Sequence, residues 1–343
     1  MQRLRDLLLA GRTCSTVLLI LVACGIAFAS FAQSPALSYM PPNTPQGTGP
    51  YKAVMETAPG LVTHTIYRPN DLAALGTQKL PVLAFANGAC ANRGNSFRYF
   101  LTEIASHGLL AIAIGPIGPK EGEYEHIGNG QPAAGSPAAA LEAVGKLAAA
   151  TPASGPTPAY TTASQLIEAI DWAQAENRRR GGPYYGKVDT ARIAVMGMSC
   201  GGLQALDAAH DPRVTTLGVW NSGTYSDDKR AMEIAAANAT KAGLKSLRIP
   251  TLYVTGDPSD IAFANTEDDF ERIESIPLFR AWRERTGHNG TYREPNGGDF
   301  GRVAVAWLHW QLMGDKEAEK MFVGADCGIC KLPGWHVKKK NIE

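Results

Sequence analysis

The chain carries no surplus of charge: 33 Lys and Arg stand against 32 Asp and Glu in 343 residues. That balance excludes the strongly basic face that nucleic acid or an anionic membrane would demand. It has no Gly-x-Gly-x-x-Gly turn and no Walker loop, and no spacing of His, Cys, Asp and Glu suits a metal. No cofactor and no metal are therefore expected. No internal repeat is present, and beyond the first thirty residues no run approaches the roughly eighteen apolar positions of a membrane span. What remains is 45% apolar, with 36 Gly and 22 Pro, a composition that suits a globular domain with a large core.

The N-terminus is of different material. Arg3, Arg5 and Arg12 precede an apolar run from Val17 to Ala29, and small residues follow around Ser30-Phe31-Ala32. This order predicts a secretory signal peptide over 1–32 and a secreted or periplasmic protein with no membrane contact after cleavage. Leu21-Val22-Ala23-Cys24 also fits a lipoprotein box with Cys24 as the lipidated residue, although the apolar stretch after it is a poor tether. A Pro/Gly/Ser-rich linker is expected over 33–50, a catalytic domain over 51–315 and a C-terminal tail over 316–343. Four cysteines lie beyond the leader, Cys90, Cys200, Cys327 and Cys330. An even number in an exported chain predicts disulfides.

Short β-rich runs occur at Leu61–Tyr67, Leu80–Ala86, Leu109–Ile114, Arg192–Met196, Val214–Trp220 and Pro250–Thr255. Helical patterns fall between or after them at Ser96–His107, Thr161–Arg180, Gly202–Ala209, Ala231–Gly243 and Asp299–Met313. Strands that are apolar throughout and alternate with helices predict an α/β fold, a mostly parallel central sheet covered on both faces. A Pro/Gly/Ala-rich segment over 119–158 interrupts the rhythm before the strand at 192 and reads as an insert or lid.

The chemistry concentrates after that strand. Gly197-Met198-Ser199-Cys200-Gly201 is a Gly-x-Ser-x-Gly motif between a strand and a helix. In that context the glycines permit a sharp turn that presents Ser199 as a nucleophile. A neutral hydroxyl needs a base, and the base needs a carboxylate. Asp260, after the strand ending at Thr255, and His288, before the last helix, stand in the required order; Asp257 is the rival acid. His64 lies in an early strand, His107 ends a helix, His210 follows the helix after Ser199 and His309 sits in the final helix, while His126 precedes the serine in the insert and His336 is in the tail. Oxyanion donors are expected from the N–H groups of Cys200 and of Ala89, in the turn after the strand at 80–86.

Tyr185-Gly186-Lys187-Val188-Asp189-Thr190-Ala191-Arg192, running through Val195-Met196-Gly197 to Ser199, resembles the bacterial cutinases and polyester hydrolases, including the polyethylene-terephthalate hydrolases. These are α/β-hydrolases of the dienelactone-hydrolase-like branch. Ala105-Ser106-His107-Gly108, Gly88-Ala89 and Asp211-Pro212-Arg213 before Trp220 are similar to the same group. The resemblance implies an α/β-hydrolase fold, Ser199, Asp260 and His288 as triad, Ala89 and Cys200 as oxyanion donors, and Trp220 beside the bound acyl group. Met198 departs from the Trp or His common in those enzymes, Ala89 replaces an aromatic, and the insert has no counterpart, so the cleft they line is open to change. In such a fold Cys90 and Cys200 each adjoin an oxyanion donor, close enough for a disulfide between the two loops. Cys327-Gly-Ile-Cys330 is expected to form a local bridge.

The expected protein is thus a monomeric serine carboxylic-ester hydrolase acting through an acyl-enzyme on a small or polymeric ester. An amidase, acetylhydrolase or dienelactone-hydrolase-type activity on the same triad, or a binding protein on the same fold, remains open at this point.

Overall fold

The computed structural model describes residues 46–118 and 160–343. The signal peptide, most of the 33–50 linker, the 119–158 insert and His126 lie outside the described residues. Among the described residues nine strands form one sheet in the order β1-β2-β4-β3-β5-β6-β7-β8-β9. They are β1 (Ala53–Glu56), β2 (His64–Pro69), β3 (Leu80–Ala86), β4 (Leu110–Ile114), β5 (Val188–Met198), β6 (Thr216–Trp220), β7 (Thr251–Gly256), β8 (Leu278–Arg283) and β9 (Trp335–Lys340). The six strands from β4 to β8 run parallel; β1, β2 and β9 pair antiparallel at the two ends.

β3 shows why this sequence makes a doubly covered sheet. All seven of its residues are buried. Leu83 and Phe85 join the cluster on one face, and Val82, Ala84 and Ala86 join the cluster on the other. An uninterrupted apolar run is stable only when successive side chains meet a hydrophobic layer on both sides. One layer is supplied by α1 (Arg98–Ser106) and α6 (Gly298–Leu308), through Phe100, Ile104, Phe300 and Trp307. The other comes from α2 (Ser164–Arg178), α3 (Cys200–Ala208), α4 (Asp228–Ala235) and α5 (Phe263–Arg272). A short α7 (Lys316–Glu319) follows α6. Among the described residues no helix is long and apolar enough to cross a membrane.

Three expectations need correction. The helix expected over Ala231–Gly243 ends at Ala235, because Ala236 turns left-handed (φ 44°) and Asp207 takes the Asn238 N–H at 2.9 Å. The tail read over 316–343 belongs to the domain, since β9 pairs with β8 along its whole length. Its lysines are anchored: Lys340 Nζ lies 2.7 Å from the Phe270 carbonyl and 3.1 Å from those of Glu271 and Ile273, closing the end of α5. Finally, β1, β8 and α5 were not expected. β8 hides Arg280, a wholly buried arginine with its guanidinium 4.7 Å from the Phe263 ring and 3.1 Å from Glu267.

Candidate active site

The carboxyl ends of β5, β6, β7 and β8 are in register: Met198 lies beside Trp220, Trp220 beside Val254, and Gly256 beside Arg283. Side chains from the loops that follow these strands converge at one edge of the sheet, as parallel topology requires. Ser199 follows β5 directly. Its backbone is at φ 53°, ψ −119°, a conformation costing about 1–3 kcal/mol that must be held by its surroundings. The hold is visible: the Ser199 N–H donates to the Trp220 carbonyl at 2.8 Å, and the Ser199 carbonyl accepts from Gly202 N–H at 2.8 Å and Ser222 Oγ at 2.7 Å. The flanking glycines are needed for space. A Cβ on Gly197 would lie 2.0 Å from the Gly201 carbonyl oxygen, and one on Gly201 would lie 2.1 Å from that of Ala86.

The structure brings Ser199, His288 and Asp260 together. His288 Nε2 is 2.9 Å from Ser199 Oγ, and Nδ1 is 2.6 Å from Asp260 Oδ1. With the carboxylate as acceptor, the proton sits on Nδ1 and the Nε2 lone pair faces the hydroxyl. The Asp260 side chain is fully buried whereas His288 is 20% exposed, so the array is dry at the acid and open at the serine. Burial would raise the Asp260 carboxyl, but it is held below the usual range by hydrogen bonds from His288, the Ala262 N–H and Asn221. Its Oδ1 accepts from Ala262 N–H at 2.9 Å, and Oδ2 from Gly256 N–H at 3.0 Å and Asn221 Nδ2 at 2.7 Å. The rival Asp257 is turned outward, its Oδ1 accepting from the Ser259 N–H and hydroxyl at 2.9 and 2.6 Å. It braces the turn.

The other described histidines serve elsewhere. His64 meets the Gln165 carbonyl, His107 pairs with Glu103, and His210 bonds Ser246. His309 meets Asp315, and His336 stacks on Trp282 at 3.7 Å while pairing with Glu284. Among the described residues no group of three His, Cys, Asp or Glu stands ready for a metal.

Facing the elbow is a tight 3-10 turn, Gly88–Cys90, in which Ala89 (φ 55°) and Cys90 (φ 46°) are both left-handed. Cys90 and Cys200 form a disulfide with Cα atoms 5.2 Å apart, so the turn holding Ala89 is joined covalently to the residue after Ser199. The second pair, Cys327 and Cys330, is also bridged, with Cα atoms 5.0 Å apart. Asn87, wholly buried, steadies the turn by donating to the Ala91 and Ile114 carbonyls at 2.9 and 2.7 Å. Among the described residues neither the Ala89 nor the Cys200 N–H donates to a backbone carbonyl. Gly118 and Tyr160 lie beside this loop: Gly118 N–H bonds Asn95, and Tyr160 bridges to Ala91.

One expected substrate contact, Trp220, is corrected. Trp220 has no exposed surface: it packs against Phe100 and Phe300 with centroids 5.3 and 5.7 Å away, and its Nε1 reaches Met196 Sδ at 3.4 Å. It is a core residue, because the side chain at the last position of β6 points into the layer under α1 and α6. Met198 is nearly buried, and its sulfur fills the space over Gly88, where a Cβ would lie 2.6 Å away. Sequence reasoning missed Ser222, Asn221 and Tyr292. The signal for the first two was position, directly after a central strand; Tyr292 gave none.

The profile of the family described as "PETase: PET hydrolase-like" matches residues 149–329, more than half of the chain. The chain belongs to that family. It is accordingly an α/β-hydrolase and an enzyme acting on carboxylic esters. The match spans Ser199, Asp260, His288, Asn221 and Tyr292 and leaves the Gly88–Cys90 turn outside it. No curated protein matches this PET hydrolase-like chain.

Proposed function

We propose that this PET hydrolase-like protein cleaves esters by acyl transfer to Ser199. The observation that carries the reading is the imidazole of His288 lying between hydroxyl and carboxylate, 2.9 Å from one and 2.6 Å from the other. In this mechanism Nε2 takes the proton as Ser199 Oγ attacks the carbonyl carbon, and buried Asp260 stabilises the imidazolium. The N–H groups of Ala89 and Cys200 receive the oxyanion. His288 returns the proton to the leaving alcohol, then activates water to release the acid. Aromatic polyesters are the substrate class suggested by the family description, and short soluble esters are expected to react through the same half-site. The enzyme works as an exported monomer after loss of residues 1–32, a location supported by its two disulfides.

A fluorophosphonate probe is expected to label the folded, oxidised protein on Ser199. Ser199→Ala should abolish labelling and lower nitrophenyl-ester turnover by on the order of 10⁶-fold. Release of aromatic acid from a polyester film, measured beside the nitrophenyl ester, reports whether polymer enters. Unlabelled protein, or turnover that survives S199A, would refute the mechanism.

A further inference from the structure

Four residues beyond His288, Tyr292 reaches back to Asn221, and Asn221 reaches the acid. Asn221 is the first residue past β6. It has no exposed surface, and its φ of 42° is one that Asn tolerates better than most residues. Its Nδ2 lies 2.7 Å from Asp260 Oδ2 and 3.5 Å from the Gly287 carbonyl, and its Oδ1 accepts from the Tyr292 hydroxyl. Tyr292 is buried with its ring set edge-on to Phe97, Phe100 and Phe300, centroids 5.0 to 5.4 Å away.

We propose that Asn221 and Tyr292 are positioning residues for the acid of the array: the tyrosine hydroxyl anchors the amide oxygen, and the amide nitrogen holds the Asp260 oxygen that His288 leaves free. The inference rests on the triad mechanism above and adds to it two residues that touch no substrate. An unconstrained amide could turn its oxygen toward the carboxylate and repel it. Asp260 Oδ2 and the Gly287 carbonyl can only accept, so they draw the amide nitrogen and leave Oδ1 to the Tyr292 hydroxyl, which burial and the nearby Asp260 charge keep protonated and able to donate. The charged and titratable groups around Asp260 are few. His288 faces it from the loop after β8, and Tyr292 through Asn221. Asp257 on its own loop is turned to Ser259, and Arg283 on β8 is paired with Asp299 on α6 at 2.7 Å and donates to Thr286.

Asn221→Asp and Tyr292→Phe test the pair by full pH profiles of nitrophenyl-ester hydrolysis, with folding checked by circular dichroism. In N221D the introduced carboxyl abuts Asp260, and two such groups share one proton with a raised pKa. While protonated it donates as the amide did, so kcat/KM near the acid end stays close to the parent. Once that proton leaves, two anions face each other, and a descending alkaline limb appears that the parent lacks. Y292F is expected to lower kcat about tenfold with KM little changed, as the amide loses its partner. Profiles of both folded variants that parallel the parent would overturn the proposal. If N221D does not fold, an unchanged kcat in Y292F overturns it alone. S199A is assayed alongside: turnover surviving there defeats the triad mechanism itself, whereas a dead S199A beside parent-like N221D and Y292F defeats only this inference.

Discussion

Two aspartates three residues apart, Asp257 and Asp260, meet opposite fates on one loop. Asp257 accepts from its own turn, while Asp260 turns inward to four donors, and the difference lies in what the surrounding loops offer rather than in either residue. On the proposed mechanism, Asp260→Asn keeps the shape but removes the charge that would stabilise the imidazolium and favours the wrong tautomer. It should lower kcat by on the order of 10³–10⁴-fold, whereas Asp257→Asn should change it by no more than about twofold. Comparable losses in the two variants, read by steady-state kinetics, would contradict the assignment. Ser199 and its glycines were legible because the elbow is built from adjacent residues whose spacing is itself the requirement. Asn221 and Tyr292 were not, since their roles arise only where loops after two strands meet.

Among the elements, the Gly88–Cys90 turn and the start of α3 act as one unit because the Cys90–Cys200 bridge closes a separation of 110 residues. Closing so long a loop restrains the unfolded chain, and the bridge also fixes the relative position of the two expected oxyanion donors. The double variant C90S/C200S should lose roughly 2–5 kcal/mol in urea denaturation and should also lose kcat, with Ser199 still present. An unchanged midpoint would argue against the stabilising role. Strand β3 was readable to the residue because a seven-residue run that is apolar at every position but Pro81 admits few alternatives. β8 escaped notice because Arg280 and Arg283 break its pattern, and burial of Arg280 depends on Phe263 and Glu267 from α5. Likewise the lysines of β9 resemble a solvated tail until the fold supplies their partners, carbonyls at the end of α5 for Lys340, the Gly324 carbonyl for Lys339 and Glu267 for Lys338.

For the molecule as a whole, one buried histidine sets an acid limit on stability. His64 joins the start of β2 to α2 through the Gln165 carbonyl at 2.9 Å. Burial lowers it to about 4 against the pull of that carbonyl. Between about 4 and its ordinary value near 6.5 the unfolded chain binds a proton that the folded one refuses. The contribution is therefore complete above about 6.5 and declines as pH falls toward 4, by a total of about 3 kcal/mol. His64→Gln, which keeps the donor to Gln165, should flatten that part of the pH dependence of urea unfolding; an unaltered slope would refute it. The depressed Asp260 acts in the same sense at lower pH, stabilising above its unfolded value and less as it protonates.

Read alone, the order of residues determined the class of fold and singled out Ser199 as the candidate nucleophile, with candidate acid and base after it, because hydrophobic period and the strand–turn–helix motif are local properties. It also located both cysteine pairs once the family resemblance supplied a fold. Which aspartate turns inward, that Trp220 belongs to the core, that the last thirty residues close the sheet, and that an amide stands behind the acid were decided only by the tertiary structure. Each depends on desolvation and on partners far away in the chain, and neither quantity exists until the sheet has brought its strand ends together.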